Sequence, residues 1–293
     1  MASPTPNPSA PQPHSADAAG NRARLFWQRI AFRAKQAVRG VLEQAYARRL
    51  HAKIAGGPVP NHLALVLDGN RRYARMAGLR NVADGHRAGA GKVTEVIRWC
   101  DELQIQLVTL WALSTDNLDR SKAELDALYA AIADELEELK PGAAAGGNRQ
   151  VRSIGRLELL PDGLRRQLEE LETLTAGAGP WRLNIAVAYG GRDELIDAFR
   201  KLLRESGANG ESPDALAERF NAATLGRYLY VPDAPEPDLI IRTSGETRLS
   251  GFLLWQSAFS ELYFCDTLWP AFRWLDFLRA IRSYQGRKRR FGL

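Results

Sequence analysis

The residues whose types most clearly suggest ligand binding or catalysis follow one apolar run. The run Leu63–Leu67 is followed directly by five residues: Asp68, Gly69, Asn70, Arg71 and Arg72. A continuous apolar run that stops at a Gly/Asn turn is typical of a buried strand in a parallel sheet, and the carboxyl ends of such strands bind ligands. A carboxylate suits a hard cation such as Mg²⁺, and arginines suit phosphate. The same residues also fit a surface turn with an Asp that caps a helix, and alone they do not decide between the two.

Three further polar clusters follow predicted strands. The first contains Ser114, Thr115, Asp116, Asn117 and, close behind, Arg120. The second is Tyr189–Arg192, and the densest is Arg242–Ser250, with two arginines and several hydroxyls. Each cluster alone fits a helix cap, a glycine turn or a surface loop. Because parallel strands would gather all of them on one sheet edge, together they favour an anion-binding site.

The segment Gly85–Lys92 has the composition of a nucleotide-binding P-loop but not its spacing. His86 stands where the first glycine of that motif should be, and Val93 stands where Ser or Thr should bind Mg²⁺. The sequence therefore does not favour an ATP site.

Strands and helices are predicted to alternate along the chain. The other predicted strands are Leu107–Leu113, Val151–Ile154, Leu183–Ala188, Leu239–Ile241 and Leu262–Phe264. The predicted helices are Gly91–Glu102, Lys122–Leu139, Asp162–Leu174 and Asp193–Arg204, with loose loops at Pro141–Asn148 and Ser206–Pro213. This alternation predicts a single α/β domain with a mostly parallel central sheet of about six strands flanked by helices.

The N-terminal part of the chain differs in composition from the rest. Residues 1–20 are proline-rich and predict a disordered tail, residues 21–57 a basic amphipathic helix with a linker, and residues 58–293 the catalytic domain. Residues 22–54 carry nine Arg or Lys and one acid, so the rest of the chain is close to neutral. The helix predicted over 21–54 can rest on an anionic membrane surface or pack on the domain, and both interpretations stay open.

Composition argues against several classes of protein. A nearly neutral main domain does not favour nucleic-acid binding. Cys100 and Cys265 lack metal-ligand spacing, which predicts reduced cytoplasmic thiols and no zinc site. No apolar run reaches the roughly 18 residues of a membrane span, and no signal peptide is recognisable. We expect a cytoplasmic protein, with membrane association through 21–54 as the open alternative.

Several long segments, in order, resemble the cis-prenyltransferase (isoprenyl transferase) family of undecaprenyl diphosphate synthases. They are HLALVLDGNRRYAR (62–75), LSTDNLDR (113–120), LNIAVAYGGRDEL (183–195), PDLIIRTSGETRLSGFLLWQSAFSELYF (237–264) and RKRRFG (287–292). The resemblance implies condensation of isopentenyl diphosphate with an allylic diphosphate to give a Z double bond. It also implies Mg²⁺ as cofactor and a homodimer as the working form.

The resemblance assigns roles to the first cluster. Asp68 would hold Mg²⁺ and the allylic diphosphate, and the diphosphate would be cradled by Gly69, Asn70, Arg71 and Arg72. Tyr73 would replace the usual Trp, and His86 would contact a phosphate. The segment before Gly85 is one residue longer than usual, so either Arg80 or Asn81 takes the position of a phosphate-binding arginine.

The same resemblance assigns roles to the cluster after Leu113 and to the cluster Arg242–Ser250. The reacting centre would be lined by Ser114, Thr115, Asp116, Asn117 and Arg120, with Asn117 the candidate for assisting proton removal. The isopentenyl diphosphate would be bound by Arg242, Arg248, Leu249 and Ser250. Glu261 would complete the metal site.

Departures from the family pattern bear on the product. Arg71 replaces a usual Gly and Leu118 replaces an aromatic residue, which favours a short or medium chain, whereas the small Ala112 is typical of longer-chain members. The same fold redirected to branched or cyclic diphosphates stays open. A non-catalytic partner subunit is disfavoured because the Asp68 motif is intact. An all-helical prenyl diphosphate enzyme is disfavoured because the sequence contains no DDxxD-type pair.

Overall fold

The computed structural model describes residues 40, 42–144 and 147–287. The chain divides into two compact units, Met1–Lys53 and Ile54–Leu293. Residues 42–54 form a helix, α1. The predicted disordered tail and most of the predicted basic helix lie outside the described residues. No helix within the described ranges is long and apolar enough to cross a membrane.

Six strands form one sheet in the second unit. They are β1 (His62–Val66), β2 (Leu107–Trp111), β3 (Arg149–Ile154), β4 (Trp181–Ala186), β5 (Leu239–Arg242) and β6 (Glu261–Phe264). Their order is β3-β4-β2-β1-β5-β6, and each neighbouring pair is parallel. The predicted six-stranded α/β sheet is therefore confirmed.

Helices connect and cover these strands. They are α2 (Asn70–Met76), α3 (Val82–Glu102), α4 (Lys122–Ala144), α5 (Asp162–Thr175), α6 (Gly191–Ala208), α7 (Pro213–Arg219), α8 (Ala222–Gly226) and α9 (Trp274–Gly286). Each residue of β1 and β2 is buried, as expected for central strands with helices on both faces of the sheet.

Helix α3 begins earlier than predicted, at Val82 instead of Gly91. Two of the intervening glycines are needed for close packing rather than for a loop. A Cβ atom on Gly85 would lie 2.5 Å from the carbonyl oxygen of Asn70, and one on Gly89 would lie 2.2 Å from the Asn70 Oδ1. The segment that superficially resembles a P-loop is thus part of helix α3, at its contact with α2.

Other helix predictions were incomplete. Helix α4 continues through the predicted loop at Pro141 as far as Ala144. Helix α7 follows the predicted loop, with Ser212 as its N-cap and Pro213 at its start, a pairing that favours a helix start. Helices α2, α7, α8 and α9 were not predicted.

The strand register brings the polar clusters to one edge. Val66 at the end of β1 lies opposite Trp111 of β2 and Arg242 of β5, and Trp111 lies opposite Ala186 of β4. The chain continues from β1 to β2 on one side and from β5 to β6 on the other. The end of β1 beside β5 is therefore the topological switch point at which open α/β sheets bind ligands.

Candidate active site

A cleft of about 570 Å³ lies at this edge of the sheet. Most of the predicted site residues line it: Asp68, Gly69, Asn70, Arg71, Arg72, His86, Ser114, Asp116, Asn117, Arg120, Arg242 and Ser250. Others that the sequence did not single out line it too, Arg75 and Leu128 among them. Arg75 follows Arg71 by four residues, so the periodicity of a helix would have placed both on one face.

An ion pair between Asp68 and Arg242 lies where β1 and β5 end. The Arg242 Nη2 donates to the Asp68 Oδ2 at 2.8 Å, and its Nη1 donates to the Ser250 Oγ at 2.8 Å and to the carbonyl of Arg248. Arg242 is only 5% exposed, and its Nε has no hydrogen-bond partner among the described residues. The pair therefore places a buried cation directly beside a carboxylate.

Thr243, which sequence reasoning missed, fixes the backbone of Asp68. Its Oγ1 donates to the Asp68 carbonyl at 2.7 Å and accepts the Asp68 N–H at 3.1 Å. Gly69 follows with φ of 111°, and a Cβ atom there would lie 2.9 Å from the Leu268 Cδ2. Only glycine combines this positive φ with the absence of a Cβ atom. The turn after β1 therefore holds Asp68 in a fixed position at the cleft.

Glu124 of α4 lies beside two arginines and a histidine on the other wall of the cleft. Its Oε1 lies 3.2 Å from the Arg71 Nε, 3.1 Å from the Arg120 Nη1 and 3.9 Å from the His86 Nε2. The sequence analysis did not single out Glu124, although it follows Arg120 by the four residues that allow a helical ion pair.

Burial and nearby charge change the titration of two side chains in this group. Burial, followed by the charge of Arg120, lowers the pKa of His86 below 6.5, so the imidazole is neutral at pH 7. Neither ring nitrogen has a hydrogen-bond partner in the described part of the chain. The neutral ring can therefore donate one hydrogen bond to a ligand oxygen. Burial also lowers the pKa of Arg120.

The segment after β2 positions the third group of side chains. Ser114 caps the short 3₁₀ helix Thr115–Asp119 by accepting the Asn117 N–H at 3.2 Å. Thr115 does not line the cleft, since its hydroxyl donates to the Asp193 Oδ2 of α6 at 2.8 Å. Ser114, Asp116 and Asn117 thus face the cleft, while Thr115 anchors the segment to the neighbouring helix.

Glu246 forms ion pairs with two arginines, Arg72 and Arg248. Its Oε1 lies 3.3 Å from the Arg72 Nη2, and its Oε2 pairs with Arg248. Arg248 does not line the cleft and is 64% exposed.

Besides Thr115 and Arg248, four predicted site residues do not line the cleft. Tyr73 is half-buried in α2, and Arg80 is exposed in the turn before α3, where Asn81 accepts the Asp84 N–H as the helix cap. Leu249 packs against the core cluster around Trp111 and Phe252.

Glu261 is the fourth. It begins β6 opposite Leu239, its Oε2 pairs with Arg287, and Asp68 follows the other end of β1. Within one chain, Glu261 and Asp68 lie at opposite edges of the sheet. The role of Glu261 as a metal ligand stays a prediction.

The comparisons with known proteins identify the family of the chain. A family model described as "Putative undecaprenyl diphosphate synthase" matches residues 66–292. An isoprenyl transferase of Deinococcus radiodurans is 48% identical over 266 residues, covering 90% of this chain and 97% of the relative. The chain belongs to the isoprenyl transferase family. It is an enzyme of the cis-prenyltransferase type.

Two further relatives of the present chain have names that indicate different products. A (2Z,6E)-farnesyl diphosphate synthase of Thermobifida fusca is 49% identical over 251 residues, covering 86% of this chain and 97% of the relative. The crystal structure of lavandulyl diphosphate synthase from Lavandula x intermedia, in complex with dimethylallyl diphosphate, has a TM-score of 0.75 and 36% identity. It covers 80% of this chain and 99% of that chain.

The cleft of this isoprenyl transferase adjoins an apolar cavity of about 60 Å³ between α3 and α4. Five residues line both spaces: Leu67, Asn70, His86, Ala112 and Leu128. The polar cleft thus lies next to an apolar space, an arrangement that suits a ligand with a charged head and a hydrocarbon tail.

Proposed function

We propose that this enzyme condenses isopentenyl diphosphate with an allylic diphosphate, with Mg²⁺ as cofactor, and gives a short or medium Z-prenyl diphosphate. One observation carries the proposal. Cationic groups lie on both sides of the Asp68–Arg242 pair, and an apolar cavity leads away from one side. Two diphosphates and one hydrocarbon tail could be held in this space at once.

The allylic diphosphate fits the side of the cleft formed by α2 and α3. Arg71, Arg72 and Arg75 supply charge there, and the buried neutral His86 supplies a donor. The Asn70 Oδ1 is also buried without a hydrogen-bond partner among the described residues. This is the side that adjoins the apolar cavity, so the tail of the allylic substrate would extend between α3 and α4.

The isopentenyl diphosphate fits the side formed by the loop after β5. Arg242 is held by Ser250 and by the carbonyl of Arg248, and its Nε has no partner in the described chain. Ser250 has φ of 53°, and this left-handed backbone, unusual for a serine, turns the loop back toward Arg242. We expect Arg248 to exchange Glu246 for a diphosphate when the substrate binds.

The donor set fits Mg²⁺. No group of three or more His, Cys, Asp or Glu side chains that could hold a metal occurs within the described residues. Mg²⁺ is commonly bound by one or two carboxylates together with substrate phosphates, so Asp68 and the allylic diphosphate would suffice. When bound, the ion would neutralise the charge that develops on the departing pyrophosphate.

The protein's own residues would orient and protect the reaction. Arginines on both sides would hold the two diphosphates so that the allylic carbon meets the isopentenyl double bond. Asn117 lines the cleft and remains our candidate for assisting proton removal from isopentenyl diphosphate. The apolar wall formed by Ala112 and Leu128 would exclude water from the allylic cation.

A second candidate reaction is the coupling of allylic diphosphates into a branched product. The likeness to lavandulyl diphosphate synthase favours it. The farnesyl diphosphate synthase relative, which is more similar in sequence, favours the linear Z product instead.

The test is incubation of purified protein with labelled isopentenyl diphosphate and C5, C10 or C15 allylic diphosphates. We expect incorporation that needs both substrates and Mg²⁺ and that stops on chelation. Product formation from allylic diphosphate alone would support branched coupling and would contradict the primary proposal. Sedimentation of the same preparation tests the predicted homodimer.

A further inference from the structure

The apolar cavity contains one side chain that the proposed reaction does not use. Among the described residues that line it, three are polar: Asn70, His86 and Glu135. Asn70 and His86 also line the cleft, so they lie at the mouth of the cavity, whereas Glu135 does not line the cleft. A glutamate therefore lines the cavity beyond the mouth that the cavity shares with the cleft.

The position of Glu135 on α4 shows how unusual it is. The other residues of α4 that line the cavity are apolar: Leu128, Ala131, Ile132, Leu136 and Leu139. Glu135 lies among them at helical spacing, between Ile132 and Leu136 on the same face, where the other positions are apolar. It lies seven residues beyond Leu128, about 10 Å along the helix axis.

The surroundings of Glu135 hold one of its two carboxyl oxygens and leave the other unpaired. The Oε1 accepts the Thr94 N–H at 3.1 Å and the Thr94 hydroxyl at 2.7 Å. The Oε2 is buried and has no hydrogen-bond partner among the described residues, and the residue is only 7% exposed. Burial raises the pKa of this carboxyl to about 7. Thr94 thus fixes the side chain against α3 while one oxygen stays unsatisfied.

The cavity is small, so we expect a growing hydrocarbon tail to contact the Glu135 side chain. Its volume of about 60 Å³ is well below the roughly 150 Å³ that admits one benzene molecule. A five-carbon unit is close to benzene in size, so each added unit has to push side chains aside. A hydrocarbon end that packs against Glu135 offers its Oε2 no hydrogen bond and keeps water from reaching it, which is unfavourable.

We propose that Glu135 is a specificity-determining residue that limits product length, because its buried carboxyl closes the tail cavity at that depth to hydrocarbon. This inference rests on the proposed condensation. It differs from control by bulk alone, since a side chain of the same size without polar atoms would let the tail pass.

Three variants separate polarity from volume. Glu135→Gln keeps the shape and an oxygen for Thr94, and Glu135→Leu keeps a similar volume without polar atoms. Glu138→Leu is the matched control, since Glu138 is exposed on the same helix one turn further on. Each protein is incubated with isopentenyl diphosphate, a C10 allylic diphosphate and Mg²⁺, and both total incorporation and product masses are measured.

We expect Glu135→Leu to raise the ratio of elongation to release at the wild-type limiting length about tenfold, the scale on which one unpaired buried acceptor changes an equilibrium. Glu135→Gln and Glu138→Leu should keep the wild-type lengths. Wild-type lengths in Glu135→Leu, or equal lengthening in the Gln and Leu variants, would overturn the assignment.

A binding measurement separates this inference from the proposed function. Calorimetry with geranyl and geranylgeranyl diphosphate should show that Glu135→Leu gains about tenfold in relative affinity for the longer tail, and that Glu135→Gln does not. A wild-type protein without any condensation would refute the proposed function, and these affinity ratios would still decide the role of Glu135. Unchanged ratios would refute it.

Discussion

Replacing Asp68 separates the chemical role of this carboxylate from its structural one. Asp68 is paired with Arg242 at 2.8 Å, so removing it affects both the buried guanidinium and the proposed metal site. Asp68→Asn keeps the size and one oxygen that can accept from Arg242 but removes the charge. Asp68→Ala removes the charge and the hydrogen bond together.

The expected loss of stability follows from the exposure of the pair. Breaking a fully buried ion pair costs about 3–5 kcal/mol. Arg242 is buried but the Asp68 side chain is 33% exposed, so solvent screening reduces the expected cost of Asp68→Ala to about 1–2 kcal/mol. We expect less than about 1 kcal/mol for Asp68→Asn, because an acceptor remains. Urea denaturation of both variants measures these differences.

The expected loss of activity is much larger and equal in the two variants. Loss of a preorganised electrostatic partner lowers kcat by about 10³-fold or more, which corresponds to about 4 kcal/mol. Asp119→Asn is the control, because Asp119 is exposed at the end of the 3₁₀ helix Thr115–Asp119 and does not line the cleft. If Asp68→Asn kept its kcat within tenfold of the wild type at saturating Mg²⁺, the assignment of Asp68 would be refuted.

Three further predictions concern other parts of the domain. Arg242→Ala and Arg248→Ala should mainly raise the KM for isopentenyl diphosphate, and a rise only in the KM of the allylic donor would reverse our assignment of the two sites. Ala112→Leu, on the wall shared by the cleft and the cavity, should shorten the products while sparing the first condensation, and unchanged product masses would place the length limit elsewhere. Burial lowers the pKa of His62 from 6.5 to about 4. The unfolded chain therefore binds a proton at His62 more tightly than the folded protein does. As the pH drops from about 6.5 to 4, the free energy of unfolding should fall by up to about 3 kcal/mol. Urea denaturation at pH 7 and 4.5 should show a smaller fall for His62→Gln than for the wild type, and an equal fall would contradict this.

The sequence predicted the strands and the edge that carries the site because both depend on local pattern. Apolar runs that end in polar residues mark the carboxyl ends of parallel strands wherever they lie in the chain. Asp68, Ser114 and Arg242 therefore could be assigned to one edge before their neighbours were known. The observed register places the ends of β1, β2 and β5 side by side.

The sequence could not predict which way each side chain turns after its strand. Thr115 lies one residue from Ser114, yet it bonds to Asp193 of α6, which is distant in sequence. Leu249 lies one residue from Ser250, yet it packs in the core. Such directions depend on tertiary contacts between distant segments, which local pattern does not contain.

Helix packing between distant segments was the other source of error. The predicted start of helix α3 was Gly91, but α3 includes Gly85 and Gly89, where the close approach of Asn70 requires glycine. Glu124 was missed for a similar reason, since its partners Arg71 and His86 come from two other helices.

The geometry of the new double bond tests the central claim most directly. Purified full-length protein is incubated with isopentenyl diphosphate, an allylic diphosphate and Mg²⁺, and the product is analysed by mass spectrometry and NMR. The account predicts a product longer by one or a few five-carbon units, in which each newly formed double bond is Z. An E double bond, or no condensation with any C5, C10 or C15 primer, would contradict it.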